Sequence, residues 1–180
     1  MPNISSHMAI AKRVSEILNI NDDEFYKGNL QPDLYADKIK SHYKIQGKKY
    51  LIPDINCVEE NLDLTNKYNL GILTHLLLDK YYFDEYLIDI EEDVFKEFKI
   101  YNDYDILNRD IKAHFNLDVN YLKSILKDYK EDIEIDKLKY NIECLDITKE
   151  GELFFLDKDK FIKFLDDILI KIANDIRSYI

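Results

Sequence analysis

Four glycines and three prolines are all that a chain of 180 residues has here for tight turns and unusual backbone. Folds built on many hairpins or on glycine-rich phosphate loops need more of both, and neither a Walker loop nor a dinucleotide-binding fingerprint is present. What remains is helix joined to helix by short connections. Hydrophobic residues make up 46% of the chain and charged ones 34%, enough apolar material for one core and too little length for two comfortable domains. The expectation is therefore a single all-α domain over residues 1–180, a bundle of roughly six to eight helices.

The apolar spacing locates them. Ser5 or Ser6 can cap a first helix carrying Ile10, Ala11, Val14, Ile17 and Leu18 on one face. Residues 19–29 are polar and rich in turn formers, and Pro32 biases Gln31 away from helix, so Gln31-Pro32-Asp33 reads as a turn or extended segment before a short helix to Tyr43. A long helix over Lys67–Leu87 is apolar most of the way round through Leu70, Ile72, Leu73, Leu76, Leu77 and Leu78, which predicts a central position. Asp103 can begin another helix ending near Phe115, and Asp118 can cap the next, with Val119, Leu122, Ile125 and Leu126 as its stripe. The stretch Ile133–Leu156 has no clean period. An Asp157 cap followed by Phe161, Leu165, Ile168, Leu169, Ile172 and Ile176 marks the last helix.

Charge and cysteines narrow the class further. With 36 acidic against 25 basic residues the formal charge is −11, and no basic run offsets it, so nucleic acid and anionic lipid are unfavourable partners. Cys57 and Cys144 are far apart without metal-type spacing and read as two buried, reduced thiols, with a bridge between them as the alternative. No stretch is long and apolar enough to span a bilayer, and the first residues do not read as a signal peptide. The expected location is the cytoplasm, without stable membrane insertion.

Four histidines carry the chemistry. His75 and Asp79 lie four apart on the central helix, one turn above each other on the same face, where both can reach one ion. Since acidic residues are so common here, a buried histidine held by a neighbouring carboxylate explains the same pair. Asp110 and His114 repeat the spacing in reverse order on a second helix, and facing pairs can build a metal site in a bundle core. A helix-terminal histidine interacting with the dipole is the alternative for His114. Tyr82 and Tyr86 continue the His75–Asp79 face, as hydrogen-bond donors to a ligand or as core. His7 falls in the first turn of the first helix, His42 ends the short helix, and Asp33 follows proline, either projecting from a fixed backbone or capping the next helix.

Taken in order, these elements resemble the zinc-dependent phospholipase C family. Residues 1–13, with Pro2, His7, Ala9 and Ala11, look like its amino-terminal stretch. Gly28-Asn29-Leu30-Gln31-Pro32-Asp33 resembles its Gly-x-x-x-Pro-Asp segment, and Ser41-His42-Tyr43 its following Ser-His-aromatic element. Gly71 through His75 to Asp79 is similar to its Gly-x-x-x-His-x-x-x-Asp helix, and Tyr101-Asn102-Asp103-Tyr104 to His114 resembles a stretch of its short bacterial members. The likeness spans roughly the first 115 residues.

The resemblance implies an all-helical fold around zinc. By motif, Asp33, His42, His75 and Asp79 would form one zinc site, Asp79 would bridge to a second ion at His7, and Asp33 would double as general base. Glu85, Asp110 and His114 fall where further ligands are expected. The chain has no tryptophan, so the amino-terminal tryptophan ligand of the secreted members has no counterpart, and one or two ions are expected rather than three. The implied activity is hydrolysis of a small phosphoester or lipid-like substrate. A non-catalytic helical protein that keeps the fold, with or without a structural metal, stays open beside it.

Overall fold

A computed structural model describes residues 2–48, 50–87, 99–127, 129 and 135–180. Among these the chain forms nine α-helices and no strand, with one isolated bridge between Lys44 and Pro53. The helices are α1 (Ile4–Leu18), α2 (Asp23–Leu34), α3 (Lys38–Ser41), α4 (Ile55–Asn61), α5 (Lys67–Tyr81), α6 (Lys99–His114), α7 (Val119–Lys127), α8 (Ile135–Cys144) and α9 (Lys158–Arg177). The all-helical class stands as expected; the count is higher because α2 begins within residues 19–29, which read as polar and turn-rich, and α8 forms within the stretch that shows no clean period. No described helix is long and apolar enough to cross a membrane.

Helix α5 is the axis of the molecule. Every residue from Leu70 to Asp79 is buried, because α1, α2, α4 and α9 all pack against it. Its last turn widens into a π-helical segment, Tyr82–Tyr86. There Tyr82 is fully buried, hydrogen-bonds the Tyr104 hydroxyl, and packs with Tyr86, Phe161 and Phe164. Tyr82 is therefore core, and its hydroxyl reaches α6 rather than the His75–Asp79 pair.

The tightest crossing joins α2 and α5. A Cβ on Gly28 would lie 1.8 Å from the Tyr68 carbonyl oxygen, and one on Gly71 would lie 2.0 Å from that of Phe25. Two of the four glycines thus serve backbone-to-backbone contact between helices rather than turns. This crossing corrects the expectation of a turn around Pro32. Asp22 caps α2 by accepting from the Glu24 N–H, and the helix runs on through Pro32 to Leu34. Pro32 sits in the last turn, where the helix ends two residues later and little of the ladder is lost. Its carbonyl accepts from the Ser41 hydroxyl at 2.8 Å.

Other boundaries shifted for similar local reasons. Asn3, not Ser5 or Ser6, caps α1, accepting from the Ser6 N–H at 3.1 Å, and both serines are buried. Helix α6 begins at Lys99, which puts Asp103 inside it. That buried carboxylate accepts the N–H groups of Phe154, Phe155 and Leu156 at 2.7–3.1 Å and pins the loop before α9. The aperiodic stretch contains α8, followed by a loop held by Asn108 and Lys112, which donate to Cys144, Ile147 and Leu145 carbonyls. Residues 133 and 134 and the Leu126 side chain lie outside the described set. Asp118 and Asp157 cap α7 and α9 as read. Both cysteines are free, and half-buried rather than buried.

Candidate metal centre

Three helices and one helix end bring their polar side chains to a single buried point. His7 comes from the first turns of α1, His75 and Asp79 from the middle of α5, Asp33 from the last turn of α2, and His42 from the C-cap of α3. His75 and Asp79 occupy successive turns of one face, with Nε2 3.4 Å from Asp79 Oδ2. His42 Nε2 lies 3.6 Å from the same oxygen and 3.7 Å from Asp33 Oδ1, while His7 Nε2 lies 3.6 Å from Asp79 Oδ1. The His7 and His75 rings stack in parallel at 3.7 Å between centroids.

Two of the three rings are aimed from behind. His75 Nδ1 meets the Asn29 carbonyl at 2.7 Å, a contact that requires α2 and α5 to touch as closely as Gly28 and Gly71 permit. His42 Nδ1 lies 3.1 Å from the Lys38 carbonyl and 3.0 Å from the Ser41 hydroxyl. Protonation at Nδ1 therefore leaves Nε2 of both rings with its lone pair turned inward. The Asn29 amide, set to satisfy both neighbours, donates to the His7 carbonyl and accepts from the His75 backbone N–H, each at 3.2 Å. Asn29 was not singled out by sequence; the only hint was its place inside the Gly-to-Asp segment.

The decisive observation is what these inward atoms lack. His7 Nδ1 and Nε2, His42 Nε2, His75 Nε2 and both Asp79 oxygens are buried with no hydrogen-bond partner among the described residues. Leaving one such group unsatisfied costs about 1–3 kcal/mol, and more for a charged one. Six together approach the whole stability of a typical domain, about 5–15 kcal/mol. A cation bound among them removes that cost. Burial lowers the pKa of His7 to about 3 and of His42 to about 4, so both are neutral at pH 7, the form that binds metal. At Asp33 the net shift is downward: burial raises the pKa, and the neighbouring histidines in their protonated form, His75 first, together with the Lys38 ammonium outweigh it. Two groups have ligand atoms within 4.8 Å of one another: His7, His75 and Asp79, and Asp33, His42 and His75. Imidazole nitrogen with carboxylate oxygen is a donor set suited to zinc.

The model of the family described as zinc dependent phospholipase C matches residues 6–178. The chain belongs to that family. No curated protein and no solved structure matches the chain. The family match runs past the stretch the motifs covered and takes in α8 and α9. Family membership makes zinc the cofactor, and the two His/Asp groups are where the described residues can hold it.

Asp110 and His114 are not part of this cluster. His114 is exposed, and its Nε2 lies 2.9 Å from Asp166 on α9; Asp110 faces Lys158 at 3.6 Å. The reason is the direction of the α6 face. Leu107 and Ile111 take the core side, which sends Asp110 and His114 toward solvent at the α9 edge. Glu85 is likewise outside, paired with Lys171 on the surface.

A cleft of about 330 Å³ opens beside the cluster. Asp33 is the one cluster residue that lines it, together with Lys38, Tyr101, Tyr104 and Tyr140. The histidines and Asp79 are at most 1% exposed, so Asp33, at 15%, is the point where the centre meets solvent.

Proposed function

We propose that this chain is a zinc-dependent hydrolase of phosphoesters, acting on a small phosphoester or a lipid-derived phosphodiester. The observation that carries the reading is the set of unpartnered imidazole and carboxylate atoms converging beside a cleft that one of the carboxylates lines. Zinc ligands are drawn from His7, Asp33, His42, His75 and Asp79. A zinc ion held among them lowers the pKa of a coordinated water to about 7 and draws charge from a phosphoryl oxygen.

The protein's own groups supply the rest. The carbonyls of Asn29 and Lys38 hold His75 and His42 in one tautomer and one orientation. Burial keeps the His7 and His42 imidazoles neutral and the surroundings weakly polar, which strengthens every charge interaction inside. Asp33, ionised and at the cleft, accepts the proton of the attacking water; Oδ1 faces Lys38 and His42, which leaves Oδ2 for that proton. The cleft volume suits a small ester or a head group, with tyrosine rings as walls. The net charge of −11 disfavours nucleic acid as the phosphodiester.

The test is elemental analysis of protein purified without chelator, followed by hydrolysis of a short-chain phosphatidylcholine and of bis(4-nitrophenyl) phosphate. Bound zinc with EDTA-sensitive turnover of either ester is expected. Zinc without turnover on either would favour a non-catalytic member of the family, and no bound transition metal would overturn the reading.

A further inference from the structure

Lys38 stands where the buried cluster meets the cleft. Its Nζ donates to Asp33 Oδ1 at 2.6 Å and to the Asp33 carbonyl at 2.8 Å, and the side chain lines the same cleft as Asp33. An ammonium group has three protons, and these two bonds use two of them. The third is available to an oxygen lying in the cleft. Any anion that approaches the cluster past Asp33 meets this charge.

The cluster itself leaves work for such a charge. Both ligand groups described above are complete only with His75, and His75 Nδ1 is taken by the Asn29 carbonyl. Its Nε2 has one lone pair and serves one ion. Once one group holds zinc, the other is left with two of its three residues, fewer than the three protein ligands of a catalytic zinc site. A second divalent ion is therefore poorly provided for among the described residues, although two positive charges are the effective way to hold both ends of a phosphoryl displacement.

We propose that Lys38 provides the second positive charge, binding a non-bridging oxygen of the phosphoester beside a single zinc ion. The assignment rests on the functional reading above. It also explains how one residue serves two needs: the Lys38 carbonyl orients His42 while its ammonium group faces the substrate. A side-chain substitution at this position keeps the carbonyl, so the two roles can be separated experimentally.

The experiment is calorimetric titration of inorganic phosphate into protein carrying its stoichiometric zinc, comparing wild type, Lys38→Met and Lys38→Arg, with zinc content measured on each sample. One zinc per chain is expected in all three. Phosphate affinity should fall by about tenfold or more in Lys38→Met, the loss of one charge-assisted hydrogen bond, and largely return in Lys38→Arg. Zinc retained with phosphate affinity indifferent to Lys38 overturns the proposal alone. Two tightly held zinc ions in the wild type also overturn it, because a metal then supplies the second charge. Zinc lost from Lys38→Met but present in wild type makes Lys38 a support for the ligands and likewise ends the proposal. A wild type that binds no zinc overturns the functional reading and the proposal together.

Discussion

Helices α5 and α6 each carry an aspartate and a histidine four residues apart, and the two pairs meet opposite fates. His75 and Asp79 are fully buried, face two further histidines, and end in atoms with no hydrogen-bond partner among the described residues. His114 and Asp110 lie at the surface, the histidine paired with Asp166 and the aspartate facing Lys158 in water. The same local geometry yields a candidate metal centre in one place and ordinary surface ion pairs in the other. What differs is burial. In water an unpaired imidazole or carboxylate is solvated at no cost, whereas inside the bundle the only inexpensive partner for several converging lone pairs is a cation.

The sharpest way to break the comparison is substitution of one histidine from each pair. His75→Ala should reduce bound zinc to near background and lower any EDTA-sensitive phosphoesterase activity by about a hundredfold or more, measured by elemental analysis and ester hydrolysis. If zinc content survives that change, the buried pair is no more special than the exposed one.

Acid titration gives a second, somewhat smaller contrast. The lowered pKa values of His7 and His42, about 3 and 4, mean that the unfolded chain takes up protons near pH 6.5 while the folded metal-free chain resists them. Their effect on stability is absent above about pH 6.5 and grows as a loss when pH falls toward 4, about 1.4 kcal/mol per pH unit for each histidine. Thermal unfolding in EDTA between pH 7 and pH 4.5 should show a steep decline in Tm. Excess zinc at pH 7 should raise Tm by mass action.

Gly71→Ala tests the scaffold rather than the ligands. Its new methyl would collide with the Phe25 carbonyl and the Asn29 N–H, forcing α2 away from α5. A loss of about 1–3 kcal/mol in denaturant unfolding is expected, together with weaker zinc binding, because the Asn29 carbonyl that orients His75 moves with α2. The smallest effect belongs to the surface pair. His114→Ala should change stability by no more than about 1 kcal/mol and leave zinc content and ester hydrolysis unaltered. A loss of zinc there would erase the distinction between the two helices.

Much of this was readable along the chain because it depends on neighbours in sequence. The apolar periods of α1, α5 and α9, the caps at Asp118 and Asp157, and the His75–Asp79 spacing are all set within a turn or two. The ordered motifs placed His7, Asp33, His42, His75 and Asp79 in one family pattern before any helix was packed. Less legible were features whose partners lie far away. Residues 19–29 looked like a turn-rich connection and Pro32 like part of a turn, yet helix α2 starts at Asp23 and carries Pro32 in its final turn, where Ser41 donates to its carbonyl. Asp103 looked like a cap, yet it accepts N–H groups from a loop about fifty residues on.

The sequence by itself determined that the chain is helical, that α5 is its centre, and that a histidine and a carboxylate share one face of it. These follow from helical periodicity and from the scarcity of turn formers. Tertiary structure alone decided which carboxylate–histidine pair was buried among further ligand-type side chains and which stayed on the surface. Leu107 and Ile111 turn the α6 pair outward, while Gly28 and Gly71, without side chains, let α2 approach α5 until the Asn29 carbonyl reaches His75. A contact of that kind depends on the distance between two backbones, and spacing along one chain does not encode it.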